Sequence, residues 1–190
     1  MALRDVLIDE LRDMYSAENQ LVKALPKLVK GANDKALKKA FQDHLEETKG
    51  QVLRLRSVFE LMGERATGEH CNGMEGVIEE GADALEKEEE GASFDSGIIG
   101  AALRTEHYEI AGYEACIGMA RTLGKSKVVS LLTANLKQEL AAAKKISALA
   151  VPIMKRSAAE PKADKKPKSG KEKYSDKKSK EDEKKAEGAL

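Results

Sequence analysis

Tryptophan is absent from this 190-residue chain, aromatic residues make up only 4% of it, and there are two cysteines, four prolines and three histidines. Cys71 and Cys116 lie far apart and without CxxC spacing, which excludes a disulfide framework and a zinc knuckle and makes a reducing cytoplasm the expected compartment. No apolar run approaches the ~20 residues that a bilayer span needs; stretches such as Ile146–Val151 are far shorter. Met1-Ala-Leu-Arg-Asp-Val passes straight into a charged amphipathic pattern, without the apolar core or cleavage site of a signal peptide. GxGxxG, GxxxxGK(S/T), GxSxG and HExxH are all missing, which removes the common nucleotide, hydrolase and zincin signatures.

An excess of one charge sign is missing too, since 33 Lys and Arg balance 33 Asp and Glu. That neutrality is a cancellation. Residues 1–156 hold 22 basic and 25 acidic side chains, whereas 157–190 hold 11 and 8. The second segment is Lys-rich, interrupted by Pro161, Pro167 and Gly170, and nearly free of apolar residues. Burial there cannot offset the entropy of ordering, so 157–190 is expected to be a disordered tail. A solvated extension is its simpler role; the sharper one is contact with nucleic-acid phosphates through flexible lysines. Interspersed acids and a lone aromatic, Tyr174, weaken that second role.

Residues 1–156 carry four segments with apolar residues at helical spacing. They run from about Leu3 to Val29, Lys35 to Met62, Ser96 to Leu123 and Lys127 to Met154. Pro26 should kink or loosen the end of the first. Gly31-Ala-Asn-Asp reads as a stop and restart, with Asn33 or Asp34 capping the second; Gly63 and Gly124 close the second and third. The connection Glu64–Asp95, of about 32 residues, suits an end-to-end crossover better than a turn. Met74–Glu80 within it predicts a short extra helix, and Glu86–Glu90 reads as a solvated acidic face. No segment alternates as a strand would. The fold class expected is all-α: a ferritin-like four-helix bundle with a long central crossover and a short extra helix.

Acids sit inside the apolar stripes. At ~100° per residue, Glu18 has Leu11, Met14, Tyr15, Val22 and Leu25 within about 60° of it. Glu106 is surrounded likewise by Ile99, Leu103, Ile110, Tyr113 and Ile117, and Glu139 by Val128, Leu132, Leu136, Ala143 and Ile146. His44 and Gln51 fall at the edge of the second stripe, with Glu47 on its shoulder. An ionised carboxylate in a helical core costs several kcal/mol unless it is paired or binds metal, and few cationic side chains share these stripes. Bundle-core sites built from single Glu residues and acid/His pairs at i, i+3 hold two metal ions. His44-x-x-Glu47 and Glu106-x-x-Glu109 have that spacing. Carboxylate-rich O/N ligation suits Fe or Mn.

Four stretches carry a resemblance. Leu11-Arg-Asp-Met-Tyr-Ser-Ala-Glu-Asn-Gln-Leu21, His44-Leu-Glu-Glu-Thr-Lys-Gly-Gln51, Cys71-Asn-Gly-Met-Glu-Gly-Val-Ile-Glu-Glu80 and Glu106-His-Tyr-Glu-Ile-Ala-Gly-Tyr113 resemble the ferritin-like family of bacterial stress proteins named YciE/YciF. The resemblance covers roughly residues 3–150. It implies a rubrerythrin-like bundle able to carry a dinuclear metal centre, self-association as a dimer, and a link to stress response. Carried over, the ligand positions are Glu18, His44 or Glu47, Glu106, Glu109 and Glu139. The last helix departs from the family pattern, reading Glu139-Leu-Ala-Ala-Ala143 where a second carboxylate is usual.

Two function classes stay open. One is an oxidoreductase that oxidises Fe(II) or reduces peroxide at this cluster. The other is a non-catalytic dimeric helical protein whose tail touches nucleic acid. Tyr15 and Tyr113 are read as core residues near the cluster with satisfied hydroxyls. His107 falls off the stripe, His70 is not a ligand, and Cys116 is a small packing residue.

Overall fold

The computed structural model describes residues 1–86 and 91–159. Five helices make up the chain there: α1 (Leu3–Gly31), α2 (Lys35–Met62), α3 (Asn72–Leu85), α4 (Ala92–Thr122) and α5 (Ser126–Ala159). No strand occurs among the described residues. Packing closes a ring in which α1 meets α2, α2 meets α5, α5 meets α4 and α4 meets α1, while α3 rides outside on α1 and α4. This is the expected four-helix bundle, with the crossover carrying the extra helix. No described helix is long and apolar enough to cross a membrane.

The caps explain where the helices start and stop. Asp34 accepts the Ala36 and Leu37 N–H groups at 2.9 and 3.0 Å, so α2 begins at Lys35 as the sequence predicts. Gly63 turns left-handed at φ 72° and ends it, a conformation that glycine adopts without steric cost. Helix α1 continues through Pro26 to Gly31, and α5 passes Pro152 to reach Ala159. The bundle thus extends past the Ser157 boundary; the remaining tail, 160–190, lies outside the described residues. So do residues 87–90 of the acidic run, of which Glu86 is exposed.

Two junctions hold the frame. At one end Asp95, on the first turn of α4, is buried and accepts the Asn33 and Asp34 backbone N–H groups at 2.8 and 2.7 Å. The α1–α2 turn is thereby tied to the start of α4, and Arg156 reaches Asp34 from α5 at 2.5 Å. Asp95→Ala removes the charged acceptor of two backbone donors, a loss of about 2–5 kcal/mol that a urea titration would register. At the second junction, the Cys71 sulfur caps α3 by accepting the Met74 N–H at 3.3 Å, and lies 3.1 Å from both Asp13 Oδ2 and Tyr108 Oη. A Cβ on Gly73 would stand 2.6 Å from the Tyr108 hydroxyl, so glycine there lets α3 close onto α4.

The buried side chains form layers along the bundle. One apolar layer holds Leu7, Leu11, Met14, Leu55, Phe59 and Leu132. Another, toward the Asp95 end, holds Leu37, Phe41, Ile98, Ile99, Ile146 and Ile153. Along each helix the sequence passes through a polar stretch between these layers: Glu18, His44 to Gln51, Glu106 to Glu109, and Asn135 to Glu139.

Candidate metal centre

That polar layer gathers one buried group. His44 on α2, Glu106 and Glu109 on α4, and Glu139 on α5 each offer a ligand atom, all lying within 4.8 Å of one another. His44 Nε2 is 3.3 Å from Glu106 Oε1 and 3.8 Å from Glu139 Oε2. The i, i+3 spacing puts Glu106 and Glu109 on one face of α4, whereas His44 and Glu139 arrive from the facing helices. The apolar layers on both sides exclude the water that would otherwise solvate four carboxyl and imidazole groups.

Of the other expected ligands, Glu18 is fully buried beside the group but outside it; its Oε1 accepts the Tyr113 hydroxyl. Glu47 is not brought in. Its side chain is 42% exposed, and its nearest approach is Oε2 at 3.7 Å from His44 Nδ1. The i, i+3 pair that spacing suggested on α2 therefore contributes only its histidine, because Glu47 points along the shoulder of the helix toward solvent. Tyr113 is in the layer, as read from the stripe. Tyr15 is held elsewhere, edge-on to Phe59 with ring centroids 5.8 Å apart and accepting Arg56 Nε–H at 3.0 Å. His107 is exposed, and His70 pairs with Glu75 at 2.9 Å on the surface.

Electrostatics make this layer costly when it holds no cation. Glu18, Glu106 and Glu109 are held well above the usual carboxylate range, first by burial and next by the charge of Glu139. Burial also raises Glu139, but His44 beside it works against that rise. Hydrogen bonding relieves them only in part, through Tyr113 on Glu18 and Gln51 on Glu139. Among the described residues, nine buried side-chain N or O atoms have no hydrogen-bond partner, and every one except Arg12 Nε lies in this layer. Folded proteins leave few such atoms unpaired. The orphans are carboxylate oxygens, both imidazole nitrogens of His44 and the amide oxygen of Gln51. A cation satisfies converging carboxylate oxygens and the one acceptor nitrogen of a neutral imidazole, so the donor set fits a metal ion.

The comparisons with known proteins agree with this architecture. A family model described as a domain of unknown function, DUF892, matches residues 2–159. Protein YciF of Escherichia coli K12 is 40% identical over 150 residues, spanning 78% of this chain and 90% of YciF. The chain belongs to the YciE/YciF family. The crystal structure of the E. coli stress protein YciF matches with a TM-score of 0.80 at 38% identity, over 82% of this chain and 99% of that one. YcfI of Rhodopseudomonas palustris, which carries a provisional structural-protein designation, gives 0.76 at 37% identity, over 77% and 94%.

Where the resemblance to the YciE/YciF family implies a second carboxylate on the last helix, this chain has Ala143. Ala143 is buried on α5 one turn beyond Glu139 and adds no ligand atom. Two amides complete the layer, and of these Asn135 was not singled out in the sequence. Gln51 donates from Nε2 to Glu139 Oε1, and Asn135 donates to Tyr113 Oη at 2.8 Å. Gln51 was visible at the edge of its stripe. Asn135 shares the face of Glu139 at i, i+4 and could have been found by asking the same question of amides. A cleft of about 70 Å³ between α2 and α5, lined by Ala40, Asp43, His44, Glu47, Ala142 and Ile146, meets the layer at His44.

Proposed function

We propose that the bundle core is a carboxylate-rich dinuclear centre for iron or manganese, serving Fe(II) oxidation or peroxide reduction in a stress-response protein. The observation that carries this reading is the set of orphaned buried acceptors centred on His44, Glu106, Glu109 and Glu139. Nitrogen and oxygen donors without a thiolate favour these metals over zinc–sulfur or iron–sulfur sites. Both cysteines are free and buried, and burial pushes the Cys116 thiol up to about 12, so neither offers a thiolate. When bound, the ions would supply Lewis acidity, one-electron redox capacity and an open coordination position.

The chain's own part is to bind, orient and shelter. His44, Glu106, Glu109 and Glu139 would hold the first ion. Gln51 fixes the rotamer of Glu139 by occupying Oε1 and leaving Oε2 unpartnered. The apolar layers exclude bulk water, and the small cleft at His44 would admit a reactant the size of peroxide or dioxygen. The stress-protein description of E. coli YciF supports the physiological side. The structural designation of YcfI and the missing ligand at Ala143 support a second reading, in which a bound ion ties the helices together without turnover.

Metal analysis of protein purified without chelator tests the first step. One to two equivalents of Fe or Mn, located in the His44–Glu139 layer by anomalous scattering, are expected. Metal-free protein that also fails to take up Mn(II) or Fe(II) would sink the reading. Metal that binds without supporting either Fe(II) oxidation or peroxide loss would select the structural one.

A further inference from the structure

Glu18 stands outside the four-residue group because a directed chain of hydrogen bonds ends on it. The chain starts at Arg54, half-buried on α2, whose guanidinium has donors only. Its Nε donates to Asn135 Oδ1 and its Nη2 to Gln138 Oε1 on α5. That pins the Asn135 amide with Nδ2 turned inward, where it donates to Tyr113 Oη at 2.8 Å. With its oxygen accepting, the Tyr113 hydroxyl gives its own hydrogen to Glu18 Oε1. Every donor in the series therefore points from the edge of the bundle toward one buried carboxylate.

Packing does not account for these residues. Asn135, Tyr113 and Glu18 are each 0% exposed, and apolar side chains would be cheaper there. Asn135 precedes Glu139 by one turn on α5, and Tyr113 follows Glu109 by one turn on α4, so the relay is built on the helices that carry the ligands. Glu18 and Glu139 are also treated alike. Each has Oε1 held by a neutral donor, from Tyr113 or Gln51, and each keeps a buried Oε2 with no hydrogen-bond partner.

We propose that Tyr113, oriented by Asn135 and Arg54, is a positioning residue that occupies one oxygen of Glu18 and leaves Oε2 to ligate a second metal ion next to the His44–Glu106–Glu109–Glu139 group. The inference rests on the metal reading above and adds an order of filling. The four-residue group takes the first ion. The second depends on Glu18 and is the weaker, because Glu18 offers a single free oxygen and Ala143 offers none.

Mn(II) titration of the full chain, by calorimetry together with electron paramagnetic resonance, tests the order. In the wild type a second, weaker step is expected, at which the isolated-ion signal gives way to that of a coupled pair. Tyr113→Phe should weaken that second step by about 10–100-fold, the usual effect of losing a partner behind a ligand, and leave the first step in place with the isolated-ion signal persisting. Glu18→Gln should abolish the second step. Arg54→Gln touches no ligand and sits at the bundle edge, so it folds; a smaller loss confined to the second step is expected. Equal weakening of both steps by Tyr113→Phe, or an unchanged second step in Tyr113→Phe, would overturn the inference and leave the metal reading standing. A wild type that binds one ion with the same affinity as Glu18→Gln would also overturn it. A wild type that binds no Mn(II) removes the metal reading itself, and this inference with it.

Discussion

Stripped of metal, the protein should lose stability as the pH climbs from about 4, where unfolded glutamates titrate, toward neutrality, and metal loading should reverse the trend. Glu18, Glu106 and Glu109 are raised in the fold, by burial first and by the charge of Glu139 second. Between their unfolded and folded values the native state binds more protons than the unfolded chain, so the slope of unfolding free energy with pH is negative. The stabilising contribution is complete below the unfolded carboxylate value and is lost as the pH rises through the folded ones. Asp34 and Asp43 oppose this only at the acid end. Asp34 is lowered chiefly by the Leu37 N–H and Asp43 by Lys39, so they lose their contribution as the pH falls below the ordinary aspartate range.

Metal inverts the dependence because its ligands must shed protons before they bind it. Free metal at about a thousand times Kd adds ~4 kcal/mol, and each kcal/mol moves Tm by ~2–4 °C in a chain of this size. Thermal melts from about pH 5 to about pH 8, with chelator and with Mn(II), read both slopes. A chelated protein whose Tm rises steadily over that range would show that the buried acids are ionised and already paired.

Most of the architecture was legible in the sequence, because helical periodicity is a many-residue signal. Leu37, Phe41, Leu55 and Phe59 alone fix the inward face of α2, and Asp34 and Gly63 punctuate it. Boundaries were less legible where the cue is tertiary. Helix α4 starts at Ala92, ahead of the expected Ser96, since its first turn is anchored by Asp95 gripping backbone donors of a loop distant in sequence. No local rule reports that. Within the centre, Glu106 and Glu139 were readable because an acid in mid-stripe contradicts the stripe. The stripe put Glu47 on the shoulder, where it lies; the i, i+3 spacing that offered it as a ligand cannot say which way a shoulder residue turns. The amides Gln51 and Asn135 carry no such contradiction, and their role emerges only when donors are paired with acceptors across helices.

Neutralising Glu139 should separate the stability of this bundle from its metal chemistry. Glu139 is the leading charge acting on Glu18, on Glu106 and on Glu109, so it is the acid through which the strain of the layer is shared. In Glu139→Gln the shape is kept and the charge removed. Replacing buried ionic groups by neutral residues of similar volume is often neutral or stabilising, by up to about 1–4 kcal/mol. An increase of that order is expected for the metal-free variant at neutral pH, read as a higher urea midpoint at unchanged m-value. The amide cannot replace an anionic oxygen as ligand, so tight Mn(II) binding should fall by at least ~100-fold, the upper range for losing even a supporting partner. The two results belong together, as expected where function is maintained at the expense of stability. A Glu139→Gln variant less stable than the wild type without metal would mean that His44 and Gln51 already compensate this carboxylate, and that the layer is a structural ion pair and no metal centre at all.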